Sequence, residues 1–258
     1  MTQQPQPEET KPETKPDIEL LSEGPHEMKF FEGIGVVENY MSKQWCEILI
    51  EAFEMYTAQK LVKSTLFGTH SFEACKDGEE QFSKGSLGRK DSGLFLEVAD
   101  AGLATNTNMV VGGGFDMYAK EYKGVIDSSD PLSSWTVKLQ KTESGGGYHQ
   151  WHCEDGTFLY RDRILTWMIY LNDIPYGSGG ATDFLHQKCS FQPTQGTAVY
   201  WPATYTHMHR GGFLTGDTPK YIATGWFIRE PGMVTDRVIK EKLGQPLPET
   251  MINGEQRS

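Results

Sequence analysis

The chain has 258 residues, 37% hydrophobic and 12% aromatic, which is enough for one sizeable core in a single large domain. Its formal charge of -11 repels phosphate, so duplex nucleic acid is disfavoured as a main partner. The longest apolar run, near Ile164–Leu171, is far too short to span a bilayer, and Met1–Glu27 has no apolar signal-peptide core, so a cytoplasmic protein without a membrane partner is expected.

Residues 1–27 hold seven acids against two lysines and few large apolar side chains. Such a segment cannot bury enough surface to offset its ordering entropy, and a disordered acidic tail is expected. Order is expected to begin near Met28. Ser42 suits an N-cap for a helix over Lys43–Gln59, where Trp45, Leu49, Ala52, Phe53 and Tyr56 recur at helical spacing. Residues 60–100 show no clear period, although Arg89, Lys90 and Asp91 precede an apolar patch at Leu94–Leu96. A second helix is expected around Met109–Tyr122, with Gly112, Gly113 and Gly114 opposing its start.

From Ser133 the pattern changes to short strands: Trp135–Gln140, Arg163–Leu171, Thr182–Leu185, Ser190–Gln192, Thr197–Trp201 and Tyr221–Ile228. Glycine- or proline-containing breaks separate them. The predicted fold is mainly β with flanking helices: a double-sheet jelly roll over 133–232, braced by a helical support region over 28–132. Together these make one domain, 28–232, followed by a peripheral segment, 233–258, with one or two helical turns at Val238–Leu243. The four cysteines, Cys46, Cys75, Cys153 and Cys189, form no CxxC pair and read as reduced thiols.

The segment from Gly145 to Asp155 carries the chemistry. On a strand, side chains at i and i+2 share a face, so His152 and Glu154 would hold one cation together, while Cys153 points away. Two histidines and one carboxylate on one face of an octahedron leave three positions open, which suits Fe(II) enzymes that bind a cosubstrate and O2. A third ligand must come from elsewhere. His186, His207 and His209 are the choices, and His209 is preferred. His207 shares its strand parity, so physics alone does not separate those two.

From Trp135 to Trp226 the chain resembles the prolyl 4-hydroxylase-like branch of the 2-oxoglutarate (2OG)/Fe(II) dioxygenases. The resemblance rests on ordered motifs: Tyr148 to Glu154; Tyr170-Leu-Asn-Asp173 followed by Gly179-Gly-Ala-Thr182-Asp-Phe184; Pro193 to Pro202; His209-Arg210-Gly211; then Lys220-Tyr221 and Trp226. It implies a double-stranded β-helix and a metal triad of His152, Glu154 and His209. Lys220 would anchor the far carboxylate of 2OG, with Tyr170 and Thr182 adding hydroxyl donors. The spacing from His209 to Lys220 favours His209 over His207. The implied cofactors are Fe(II) and 2OG, with ascorbate as a reductant that keeps the iron reduced. The implied reaction is hydroxylation of a peptide or small-molecule substrate with O2, releasing succinate and CO2. Two departures stand out: Glu154 replaces the usual Asp, and Thr142 stands where many relatives place a 2OG-contacting Tyr. The rival readings are a non-catalytic jelly-roll binding or structural protein, and a cupin-type metalloenzyme that does not use 2OG, for which Lys220 would be unnecessary.

Overall fold

A computed structural model describes residues 21, 26–59, 63–68, 71–74, 80–83, 87–127, 131–157 and 160–229. The expected helical turn at Val238–Leu243, most of the expected acidic tail, and Cys75 lie outside the described residues. In chain order the elements are β1 (Lys29–Phe31), β2 (Ile34–Val37), α1 (Lys43–Ala58), β3 (Lys63–Gly68), β4 (Ser71–Ala74), β5 (Glu80–Ser83) and β6 (Leu87–Phe95). Then come α2 (Leu96–Ala99), α3 (Ala101–Glu121), α4 (Gly124–Asp127), β7 (Leu132–Thr142), β8 (Gly147–Tyr148) and β9 (Arg163–Tyr170). The last are β10 (Thr182–Phe184), β11 (Cys189–Phe191), β12 (Ala198–Pro202), β13 (His209–Gly211) and β14 (Lys220–Arg229).

The large sheet runs β1-β2-β12-β9-β14-β7-β6-β3, with β8 on β6, and a small sheet runs β11-β10-β13. Both are antiparallel, and they face each other as the jelly roll that the strand pattern predicts. A bridge between His152 and His209 extends the small sheet. Strands β4 and β5 form a separate ribbon.

Both faces of the large sheet are covered, so its strands sort their side chains by parity. Val137, Leu139, Leu165, Trp167, Ile169, Ala198, Tyr200, Tyr221, Ala223 and Phe227 pack with the helices. Ile34, Val36, Tyr170, Val199, Trp201 and Ile222 pack with Phe184 of the small sheet. This explains why β9 and β14 read as continuous apolar runs and not as alternating ones.

Helix α1 matches its sequence signature. The Ser42 hydroxyl accepts from the Trp45 N–H at 3.1 Å, and Trp45, Leu49, Ala52, Phe53 and Tyr56 are all buried. Packing reaches further toward the N-terminus than the expected start at Met28: Leu21 is buried, and its carbonyl accepts from the Ser42 N–H at 3.0 Å.

Helix α3 begins at Ala101, eight positions before the expected start, capped by Asp100. The three glycines do not break it because two of them are contact points. A Cβ on Gly114 would overlap the Tyr200 ring, and one on Gly113 would meet the Tyr40 hydroxyl at 2.9 Å. The close approach lets Tyr200 donate to the Val111 carbonyl at 3.0 Å and Tyr40 to that of Val110. Gly112 faces open space. Gly114→Ala is therefore expected to destabilise the protein by about 1–3 kcal/mol through overpacking. Gly112→Ala is expected to stabilise it by up to about 1 kcal/mol through helix propensity. Thermal or urea melts of the two variants check both signs.

Candidate metal centre and cosubstrate pocket

His152 and Glu154 are not on a regular strand. Strand β8 ends at Tyr148, and the chain then bends. Position is restored by backbone bonds to other elements. His152 exchanges two N–H···O bonds with His209, at 3.0 and 2.9 Å, and the Glu154 N–H donates to the Ala203 carbonyl at 2.8 Å. The two side chains still converge as the i, i+2 spacing requires. The ligand atoms of His152, Glu154 and His209 all lie within 4.8 Å of one another.

The hydrogen bonds fix the tautomers. Nδ1 of His152 lies 2.8 Å from the Gln150 carbonyl, and Nδ1 of His209 lies 3.0 Å from the His207 carbonyl. A carbonyl only accepts, so each Nδ1 carries the proton and each Nε2 turns a lone pair inward. Burial, and then the neighbouring His209, hold the His152 pKa below the usual imidazole value. Burial would raise Glu154, but the two imidazoles hold it well below the usual carboxylate range. The inward Nε2 atoms of two imidazoles and one carboxylate converge on one point, and this donor set fits Fe(II) with room for further ligands.

His207, which shares parity with His209, is occupied elsewhere. Its Nε2 donates to the Glu32 carbonyl at 3.0 Å, in the turn that joins β1 and β2. His149 is buried against Phe213 and hydrogen-bonds the Gly211 carbonyl.

Arg163 is the neighbour that the sequence reading missed. Its Nη1 donates to Glu154 Oε2 at 2.9 Å, while Oε1 faces the histidines, 3.5 Å from His152 Nε2 and 3.3 Å from His209 Nε2. The guanidinium carbon lies over Trp226, 3.5 Å from the ring centroid. By simple alternation Arg163 would share the helix-facing side of Leu165. A bulge at Ile164 reverses this, because Phe227 pairs with Leu165 but Ile228 pairs with Arg163. Tyr148 stacks on the His152 ring at 3.8 Å and orients it further. Arg163→Met is expected to weaken metal binding by ~10–100-fold, as loss of a ligand's outer partner usually does. A Fe(II) titration reads this directly.

The triad opens into a cavity of about 360 Å³. Lys220 and Thr182 line it, together with Thr142 and the apolar Met168, Trp201, Ile222 and Trp226. Lys220 is buried, its ammonium donates to the Gly180 carbonyl at 2.6 Å, and burial lowers its pKa to about 8. Among the described residues no carboxylate pairs with it. Of the two expected hydroxyl donors, only Thr182 faces the cavity. Tyr170 stands behind it, fully buried, donating to Thr182 Oγ1 at 2.8 Å, with its ring 5.3 Å from the Lys220 ammonium.

Fold and donor set together define a jelly-roll protein with a candidate mononuclear metal site. Comparison with known proteins makes the class specific. Residues 137–228 match the model of the 2OG-Fe(II) oxygenase superfamily. No curated protein sequence matches the chain significantly. Among solved structures, the viral collagen prolyl hydroxylase of Paramecium Bursaria Chlorella virus-1, in its 2OG complex, is similar at 17% identity and a TM-score of 0.51, covering 77% of this chain and 97% of that one. A Pseudomonas putida prolyl-4-hydroxylase is similar at 14% identity and a TM-score of 0.52, over 76% and 93% of the two chains. A Trichoplax adhaerens prolyl hydroxylase, in complex with a hypoxia inducible factor oxygen degradation domain peptide fragment, is similar at 16% identity and a TM-score of 0.51, over 76% and 83%. These likenesses establish the fold. The match of residues 137–228 to the 2OG-Fe(II) oxygenase superfamily and the fold shared with prolyl hydroxylases together indicate a 2OG/Fe(II)-dependent oxygenase with a prolyl hydroxylase-like architecture.

Proposed function

We propose that the protein is a hydroxylase of the prolyl 4-hydroxylase type, acting on a peptidyl or small-molecule substrate. The carrying observation is one cavity that holds both a His152–Glu154–His209 donor set and, at its far end, a buried lysine with no carboxylate partner among the described residues. His152, Glu154 and His209 hold the iron, and Lys220 with Thr182 holds the far carboxylate of 2OG as a charge-assisted pair. When bound, iron and 2OG supply the oxidising chemistry: O2 delivers one oxygen atom to a substrate C–H bond and the other to 2OG, which leaves as succinate and CO2.

The chain's own residues position and shield. The carbonyls of Gln150 and His207 lock the two imidazoles, and Arg163 holds the outer oxygen of Glu154, so that one oxygen faces the metal. Tyr170 holds Thr182 in place. The walls from Met168, Trp201, Ile222 and Trp226 keep water from the reacting C–H. The cupin-type and non-catalytic readings leave Lys220 without a purpose. The test is anaerobic titration with Fe(II) and then 2OG, followed by the visible charge-transfer band of the chelate. A band that needs both additions supports the reading, and metal binding without a 2OG-dependent band would sink it.

A further inference from the structure

The cavity is lined by five cations in a protein of net charge -11: Arg89, Lys138, Arg163, Arg210 and Lys220. Four have evident employment. Arg89 pairs with Asp91 at 2.8 Å, Arg163 with Glu154 at 2.9 Å and Arg210 with Asp183 at 3.1 Å. Lys220 is assigned above to 2OG. Lys138, on β7, has no hydrogen bond or ion pair among the described residues. Its ammonium lies 5.9 Å from the centroid of the Phe95 ring, and the carboxylates of Asp91 and Glu154 act on it only at longer range.

Lys138 is held in this position by the fold. Its stem crosses β6 at Gly93, where a Cβ would come within 2.8 Å of Lys138 Cε. It belongs to the other end of the cavity from the 2OG anchor. On the same strand Lys220 pairs with Thr142 and Thr224 with Lys138. Four residues of strand separate these positions, roughly 13 Å, so the two lysines serve different anions. Burial, and then the Arg89 charge, lower the Lys138 pKa to about 8, and the nearby carboxylates of Asp91 and Glu154 only partly offset this.

We propose that Lys138, reinforced by Arg89, is the docking point for a carboxylate on the substrate, which makes the substrate class acidic. This rests on the reading of the cavity as a 2OG oxygenase site. The carboxylate belongs either to a free amino acid or to an acidic side chain of a peptide, and the test separates the two.

The experiment compares the wild type with Lys138→Met, which keeps the stem and removes the charge. Both are loaded anaerobically with Fe(II) and 2OG, and the visible band is recorded first. Its absence from the wild type would overturn the oxygenase reading, and this inference with it, before any substrate is added. Four probes follow: a pool of free L-amino acids, the same pool as amides, a pool of acidic hexapeptides with blocked ends, and its Asn/Gln counterpart. Perturbation of the band gives the affinity of each probe without turnover. One charged pool is expected to bind roughly 30-fold or more tightly than its neutral twin, the low end for a buried charge partner. Lys138→Met is expected to lose that preference while its 2OG affinity stays at the wild-type value. The responding pool identifies the source of the carboxylate. Charged and neutral probes binding alike, none binding, or a preference that survives in Lys138→Met would each overturn the proposal. The competing role for Lys138 is a counter-ion for Asp91 Oδ1, which has no hydrogen-bond partner among the described residues. It predicts a lower melting temperature for Lys138→Met with no charge preference in either protein, which also counts against the proposal.

Discussion

Glu154→Ala is expected to lose Fe(II) binding by more than ~100-fold, exceeding the loss of any outer partner, and to abolish 2OG turnover. The reason is twofold. The variant removes the one anionic ligand of the triad, and it leaves the Arg163 guanidinium beside two imidazoles with no carboxylate to neutralise it. That positive charge then repels the metal. Anaerobic titration of Glu154→Ala should give no visible band at Fe(II) concentrations that saturate the wild type. Glu154→Asp controls for folding and for the departure from the usual ligand. It restores a carboxylate one methylene shorter, which cannot reach both Arg163 and the metal position equally well. Measurable iron binding at reduced affinity is expected. Full binding in Glu154→Ala would remove Glu154 from the triad.

Lys220→Ala is expected to raise the Kd for 2OG by roughly 30-fold or more, since removing one partner of a buried charged pair costs at least about 2 kcal/mol. Fe(II) affinity should be unchanged, and a parallel loss of both would indicate misfolding and not loss of an anchor. The pH dependence sharpens the test because it acts in opposite directions on two observables. Burial lowers Lys220 from the ordinary 10.5 to about 8. Between these values the unfolded chain holds the proton that the folded protein releases. Stability is therefore lowest below about pH 8, where the buried charge is fully present, and rises as pH climbs toward 10.5. Affinity for 2OG moves the other way. The anchor binds as the ammonium, so affinity falls as pH passes about 8, by at most ~tenfold per unit. Across this window wild type should show both trends in melting temperature and 2OG titration, whereas Lys220→Met should lose the 2OG trend and keep only the part of the stability trend that Lys138 contributes.

How far the sequence reached depended on whether local pattern or distant contact decided each feature. Helix α1 was legible because cap and apolar stripe are local. The strands β9, β12 and β14 were legible because they are buried on both faces and rich in β-branched and aromatic residues. The triad was approachable because His152 and Glu154 are two positions apart. The choice of His209 needed the family resemblance, and the structure adds the physical reason: His207 is held by the turn between β1 and β2, more than a hundred residues away in sequence. The early start of α3 was hidden because glycine propensity is local, whereas the contacts of Tyr40 and Tyr200 that require those glycines are not. Arg163 was hidden by a single bulge. Arg89 and Asp91 were hidden because β6 carries charges on its cavity side and so shows no apolar period.

Strand β14 keeps two separate registers of information on one stretch of backbone. Tyr221, Ala223 and Phe227 face the helices, while Lys220, Ile222, Thr224 and Trp226 face the reaction chamber. Substrate preference and thermal tolerance are thus written on alternate letters of the same word. A lineage could exchange chamber letters and acquire new chemistry without loosening its scaffold, and could adapt to heat on the other letters without altering what it oxidises. The helices that cover the outer face make this separation possible, so a support layer with no chemistry of its own widens the range of reactions open to the fold.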